Sequence, residues 1–346
     1  MEDLLIKKTN WSIKTANDAK HRLQISSNYS STVRREWNRY PQEAHILNIE
    51  NSIYRRLQVN EISKIQTFPE EYFNESTLKS REIIAGLGNA VAPDLAKVIF
   101  QTILDNYALK NKTSIDICAG IGGLSLGLPK TYEHLCLVDF WKPSIDLLKT
   151  KKHLWSPKNV HHADLKKFDF GKYNSETGFL IGGPPCQPYS NAGSRQGQDD
   201  ERDLMAYMPQ LIGTLRPEVF ILENVPGLIS PKFSLYFNQL MKNLEEPKKD
   251  LIYGVSFQTF NTLDYDIAQS RKRVFIVGLL NAKNIEAAQL LNKITERKSK
   301  RGKSLFDIGV GKISSTDEWF DFNGDLEYYK FLDRERKIIT NQLELF

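Results

Sequence analysis

Phe179-Leu-Ile-Gly-Gly-Pro-Pro-Cys-Gln-Pro-Tyr-Ser190 is the stretch around which the rest of the chain can be ordered. Its apolar start, Phe179 to Ile181, reads as a short buried strand. Two glycines followed by Pro184, Pro185 and Pro188 must end that strand in a stiff turn. Cys186 then stands at the strand's tip. Ligands of a parallel α/β sheet bind at the carboxyl ends of its strands, so a thiol in this position is placed as a nucleophile would be. The alternative is a buried cysteine acting as a small hydrophobe.

The 346 residues can hold one large domain or two ordinary ones. A formal net charge of +5 is a mild basic excess, compatible with a polyanionic partner without requiring one. The three cysteines, Cys118, Cys136 and Cys186, lack metal-ligand spacing. None of the six histidines form an H-x-x-x-H pair, and the adjacent His161 and His162 would point to different sides of any regular element, so no metal site is expected. With no hydrophobic start and no apolar run of ~20 residues, the chain reads as reduced, cytoplasmic and free of membrane spans.

Outward from the opening stretch, a regular α/β rhythm runs through the middle of the chain. Ser114 to Cys118 reads as a strand that Ala119-Gly-Ile-Gly-Gly123 turns into a helix starting near Leu124. Such a turn serves several nucleoside cofactors and sometimes none. The next strand, His134 to Val138, ends on Asp139, roughly 20 residues after the glycines, where an acid accepts hydrogen bonds from ribose hydroxyls. Val160 to Ala163, closed by Asp164, is a third strand. Glu218 to Leu222 is a fifth buried strand ending in Glu223-Asn-Val-Pro226. Glu223 at one strand end and Cys186 at the neighbouring one therefore converge, although a surface glutamate closing a strand would read the same. The polar stretch Asn191 to Asp203 reads as a mobile loop beside the thiol. Tyr253 to Asn261 and Arg273 to Leu279 flank a basic connection, Arg271-Lys-Arg273, which suits phosphate or a base edge, or solvent.

Towards the front, Asn60 is expected to cap a helix through Glu61, Ile62, Ile65 and Gln66, ended by Phe68-Pro69. A second helix is expected from Pro93 to about Ile103. Gly86-Leu-Gly-Asn-Ala-Val91 reads as a glycine turn between them. Residues 1–54 mix Arg34, Arg35 and Arg39 with Trp11, Trp37 and Tyr40, a pattern shared by nucleic-acid surfaces and by solvated loops. Beyond Leu280 the pattern weakens, with a basic run at Arg297 to Lys303.

Together these pieces resemble the cytosine carbon-5 DNA methyltransferases. Asp116-Ile-Cys-Ala-Gly-Ile-Gly-Gly123 is similar to that family's cofactor loop, and Pro184-Pro-Cys-Gln187 to its nucleophile motif. Glu223-Asn-Val225 matches the base-binding motif, and Gln269-Ser-Arg-Lys-Arg273 the Gln-x-Arg-x-Arg motif. The helix around Glu61 to Phe73 and Gly88-Asn-Ala-Val91 resemble the two motifs that normally close the family's chain. Here they come first, which implies a circular permutation joined through residues 101–113.

The resemblance implies a Rossmann-like S-adenosylmethionine-dependent methyltransferase fold, with a mostly parallel seven-stranded sheet, one antiparallel hairpin strand and a small extra region. It divides the chain into a catalytic domain at 55–280 (permuted motifs 55–105, core 114–280), an N-terminal segment 1–54 and a C-terminal segment 281–346. The two end segments, or a second subunit, would recognise the target. Cys186, Glu223, Arg271 and Arg273 would be catalytic. Cys118, Gly120, Ile121, Gly123, Asp139, Phe140, Asp164, Leu165, Pro185, Asn89 and Val91 would bind S-adenosyl-L-methionine. Cys118 stands where the family commonly has a phenylalanine, so Phe140 or Trp141 would stack on adenine instead; Leu204 or Met205 would supply a further contact. The implied substrate is double-stranded DNA, with a cognate restriction endonuclease as functional partner. Transfer RNA is the rival substrate, and a subunit dependent on a partner chain, or one whose catalysis is vestigial, is the rival class.

Overall fold

A computed structural model describes residues 23–37, 44–185, 203–299, 302–313, 319–321, 330 and 333–334. In chain order the strands are β1 Gln24–Ile25, β2 His45–Asn48, β3 Ile53–Arg56, β4 Thr113–Ile117, β5 Glu133–Asp139, β6 Val160–His162, β7 Phe179–Gly182, β8 Val219–Asn224, β9 Tyr253–Asn261, β10 Lys272–Leu280 and β11 Phe320–Asp321. The helices are α1 Val59–Ile65, α2 Ser80–Asn89, α3 Pro93–Asn106, α4 Lys142–Thr150, α5 Met208–Leu215, α6 Ser234–Glu245 and α7 Asn284–Glu296.

Seven strands form the main sheet in the order β6-β5-β4-β7-β8-β10-β9. The first five of these run parallel, and β10 is antiparallel to both β8 and β9. This is the α/β architecture the resemblance implies. The neighbouring strands β7 and β8 carry apolar runs, Phe179 to Ile181 and Val219 to Leu222, because both faces are covered. Along β7 and β8, Leu180, Phe220 and Leu222 join a core with Met208, Leu211 and Ile212 of α5 and Leu240 of α6. Phe179, Ile181, Val219 and Ile221 join the opposite core with Ile99 and Phe100 of α3 and Leu290 and Ile294 of α7. The alternation is the period of two that a strand imposes on its side chains.

Four local expectations are corrected. Helix α1 begins at Val59, with Glu61 reaching back to accept the Gln58 N–H at 2.9 Å, so Asn60 lies inside the helix and does not cap it. Gly86 to Asn89 is the end of α2 and not a free turn, because burial of Ile83, Ile84 and Leu87 outweighs the low helix propensity of glycine. No α-helix starts near Leu124; a single 3₁₀ turn, Ser125–Gly127, is all that forms before Leu128-Pro129. The residue before a proline is kept out of the helical region. Past residue 280, α7 buries Ala287, Leu290, Leu291 and Ile294, spaced as one helical face, so the covering of the main sheet continues to Glu296.

A second sheet, β1-β2-β3-β11, joins residues from both ends of the chain. Arg55 clasps Glu61 through two hydrogen bonds of 2.7 and 2.8 Å, and Glu61 Oε1 also accepts the Gly311 N–H at 2.9 Å. Burial by itself would raise the Glu61 carboxyl; the donors from Arg55, Gln58 and Gly311 overcome that and hold it below its ordinary value. The stretch Ser80–Asn106 is long and apolar enough to cross a membrane. Here it is two core helices, broken at Ala90-Val-Ala92 and largely buried.

Candidate active site

Neighbouring strands β7 and β8 end side by side, with Gly182 opposite Leu222. Chain leaving β7 passes through Gly183, Pro184 and Pro185 to Cys186, which, with the rest of 186–202, lies outside the described residues. The turn that leads to the thiol is held at both ends. Asn224 Nδ2 donates to Pro184 O at 3.0 Å, and Leu204 N, where the chain returns, donates to Pro185 O at 3.3 Å. Asn224 thus ties the end of β8 to the turn that follows β7.

Glu223 lies within the last turn of pairing between β8 and β10, opposite Phe275. Arg273, two residues earlier on β10, is its diagonal cross-strand neighbour, and its Nε comes within 2.8 Å of Glu223 Oε1. Both side chains are mostly buried, 15% and 11% exposed, so their attraction is screened far less than on an open surface. Gly183 leaves room for the second carboxylate oxygen: a Cβ there would stand 3.0 Å from Glu223 Oε2.

Arg271 does something different from its partner in the motif. Its guanidinium is buried and donates to Val33 O at 2.8 Å and Gly88 O at 2.9 Å. Burial, and Arg273 beside it, push it well below its ordinary value, with Glu223 acting in the opposite sense. Around this fork lies a buried polar net: Gln269 accepts the Val33 N–H and donates to Gln66, whose amide reaches Leu87 O. Sequence reading found Gln269 and Arg271 but not Val33 or Gln66. No local signal relates residues about two hundred positions apart.

On the other side of β7, β4 and its neighbour β5 end at the glycine loop. Gly120, with φ of +54°, has open space where a side chain would stand, and its N–H donates to Asp139 Oδ2 at 2.7 Å. Trp141 N donates to the other oxygen at 2.6 Å. Burial raises the Asp139 carboxyl despite these donors. Phe140 is 75% exposed on the same rim, while Trp141 packs against the core beneath. Of the two rings, Phe140 is the more exposed and Trp141 is partly buried.

The other residues predicted for this pocket fall into two groups. Asn89 and Pro185 are exposed, and the Asp164 carboxylate is partly exposed and accepts the Lys166 N–H at 3.0 Å. Gly123 lies tightly against Val91 O, which joins the glycine loop to the start of α3. In contrast, the side chains of Ile121, Leu165 and Met205 are buried in core clusters, so Ile121 and Leu165 have only backbone to offer a ligand. Ile121 O already accepts the Tyr72 hydroxyl at 2.7 Å. Cys118 is half-buried with φ of +50°, its thiol pushed up by burial and by Asp139 and Asp116. Asp116 is buried beneath the loop, accepts the Ser125 hydroxyl at 2.6 Å, and is pushed up to about 7 by burial.

The sequence is similar to several known proteins. The chain is 35% identical over 170 residues to Type II methyltransferase M.NgoMIV of Neisseria gonorrhoeae, covering 49% of this chain and 52% of that protein. It is 36% identical over 168 residues to Type II methyltransferase M.HgiBI of Herpetosiphon aurantiacus, covering 48% and 36%. The crystal structure of S. pombe Dnmt2 methyltransferase aligns at 20% identity with a TM-score of 0.38, covering 51% of this chain and 52% of that one. The chain thus spans about half, or less, of the length of the curated relatives it matches. A family model described as C-5 cytosine-specific DNA methylase matches residues 4–105 and 112–338, nearly the whole sequence in two blocks. The chain belongs to the C-5 cytosine-specific DNA methylase family.

Proposed function

We propose that this chain transfers a methyl group from S-adenosylmethionine to carbon 5 of cytosine in double-stranded DNA. The observation that carries the reading is the Glu223–Arg273 ion pair, 2.8 Å apart, beside the Pro184-Pro185 turn that leads to Cys186. Addition to a pyrimidine ring requires a carboxylate for the base edge and a thiol, and Cys186 follows in sequence directly after the described turn. The cofactor fits the other strand ends: Gly120 leaves open space, Asp139 offers a carboxylate to ribose hydroxyls, and the exposed Phe140 ring offers a flat surface to adenine. When bound, S-adenosylmethionine supplies the methyl group as an electrophile.

The residues of the chain then divide the work. Cytosine carbon 5 is a poor nucleophile until the ring's conjugation is broken, so a flipped-out base must first be attacked. The Cys186 thiolate forms a bond to carbon 6, and the electrons displaced from the 5,6 double bond give carbon 5 its nucleophilic character. Glu223 hydrogen-bonds the pyrimidine edge and stabilises a proton taken up from solvent at ring nitrogen 3, which draws electron density as the thiolate adds. Arg273 holds that carboxyl in place and supplies positive charge where the ring becomes electron-rich. After methylation, loss of the carbon-5 proton expels the thiolate and restores the double bond. Arg271, tied to backbone carbonyls, acts by fixing the segment that carries Arg273.

The Type II methyltransferase names of the relatives support a role as the modification enzyme beside a restriction endonuclease, and we place that role in the cytoplasm. We assign target recognition to the small sheet that residues 1–54 and 281–346 share. Incubation with tritiated S-adenosylmethionine and either duplex DNA or transfer RNA tests the substrate: label in DNA is expected, and label in RNA alone would refute it. Cys186→Ser should abolish transfer, and Glu223→Gln should slow it by about 10²–10⁴-fold.

A further inference from the structure

Between the N-terminal segment and the catalytic hairpin lies a short basic turn whose backbone is fixed with unusual thoroughness. Ser30 N donates to Ala268 O and Ser270 N to Ser30 O, both at 2.8 Å; Thr32 Oγ1 donates to Ser270 O at 2.7 Å. Val33 gives its N–H to Gln269 and its carbonyl to Arg271. On the far side Trp37 is fully buried and its N–H closes a turn onto Arg34 O at 3.1 Å. This buried Trp37 cannot meet a ligand, contrary to one reading of the sequence. Between the two anchors Arg34, Arg35 and Glu36 are all exposed. Their backbone rests on Gly88, where a Cβ would stand 2.6 Å from Arg34 O and closer still to Arg35 N.

The position of this turn relative to the chemistry follows from the same contacts. Arg271 bridges Val33 O and Gly88 O, and both Arg273 and Glu223 act electrostatically on Arg271. Arg271 lies two residues before Arg273, so the turn it holds is linked through one side chain to the strand end that carries the Glu223 ion pair. Two arginines on an anchored, exposed turn near the proposed base site, with the exposed Lys272 in the adjoining strand, put positive charge at this surface. A solvated surface turn would need no such anchoring. We propose that Arg34 and Arg35 form a phosphate clamp that grips the DNA backbone next to the flipped cytosine, positioning the duplex without reading its sequence. This rests on duplex DNA being the substrate.

The test is the salt dependence of binding. Each phosphate contact releases counterions, so log Kd against log[KCl] for a labelled duplex should lose about 1 unit of slope per arginine neutralised. Arg34→Ala/Arg35→Ala should lower the slope by about 2 and raise KM for DNA more than it lowers kcat, with affinity for S-adenosylmethionine unchanged. Arg34→Lys/Arg35→Lys, which keeps the charges, should retain the slope. Wild-type slope in the alanine variant, with the native enzyme active on DNA, would overturn the clamp. If the alanine pair fails to fold, Arg34→Gln/Arg35→Gln decides by the same readout. Failure of the native protein to methylate DNA at all would instead refute the assigned reaction.

Discussion

Gly88→Ala sets two effects of opposite sign against each other, and the structure says which wins. Helix propensity favours alanine over glycine by about 1 kcal/mol, and by less in a last turn such as this one. Against it, the new methyl would meet the backbone of Arg34 and Arg35, 2.6 Å from Arg34 O and nearer to Arg35 N, where real Cβ contacts essentially never fall below 3.0 Å. Backbone cannot rotate aside as a side chain can, so the 30–37 segment must retreat. That retreat lengthens the Arg271 bond to Val33 O, now 2.8 Å, and the Gln269 bond to Val33 N, now 2.9 Å. Overpacking costs about 1–3 kcal/mol, and a strained bond from a buried guanidinium up to about 1.5–3 kcal/mol more. The net expectation is a loss of about 2–4 kcal/mol. Urea unfolding followed by tryptophan fluorescence measures it, with Trp37 buried on the displaced segment as a local reporter. Equal or greater stability in the variant would refute the reasoning, because it would mean that the segment does not lie against α2.

Two further outcomes can be checked with purified protein. Asp116 keeps its proton in the folded state up to about pH 7, whereas in the unfolded chain it ionises near pH 4. Its share of stability is therefore complete below about pH 4 and is lost as pH rises through about 7. Melting temperatures of Asp116→Asn should decline less steeply across that window than those of the native protein, and parallel curves would contradict the assignment. Phe140→Ala should weaken S-adenosylmethionine by about 1 kcal/mol or more, roughly fivefold or more by calorimetry, if the ring stacks on adenine. Since the ring is 75% exposed, the same change should leave the melting temperature nearly unmoved, and an unaltered affinity would exclude the stacking role.

Much of the catalytic half was legible because its signals are local. Phe179 to Ile181 and Val219 to Leu222 are apolar because both faces of their strands are covered, and glycine or proline ends several strands where the chain must turn sharply. Asp139 follows the glycine loop at a spacing set by one strand–turn–strand unit, and Gly120 N to Asp139 Oδ2 at 2.7 Å closes that unit in the fold. Helix α7 was equally legible in principle, since Ala287, Leu290, Leu291 and Ile294 carry a helical period. The charged residues on its exposed face obscured it.

What the linear order could not convey is which member of a motif does what. Arg271 and Arg273 are two residues apart and chemically identical, yet one is sealed against Val33 O and Gly88 O while the other faces Glu223. Phe140 and Trp141 are adjacent aromatics, yet the first is mostly exposed while the second is partly buried against the core. The residue types, their strand-end placement and hence the class of chemistry belong to the sequence, because turn chemistry and apolar periodicity act over a few residues. The division of labour belongs to tertiary structure. It depends on burial and on partners such as Gln66 and Gln269, 203 positions apart, which only packing brings together.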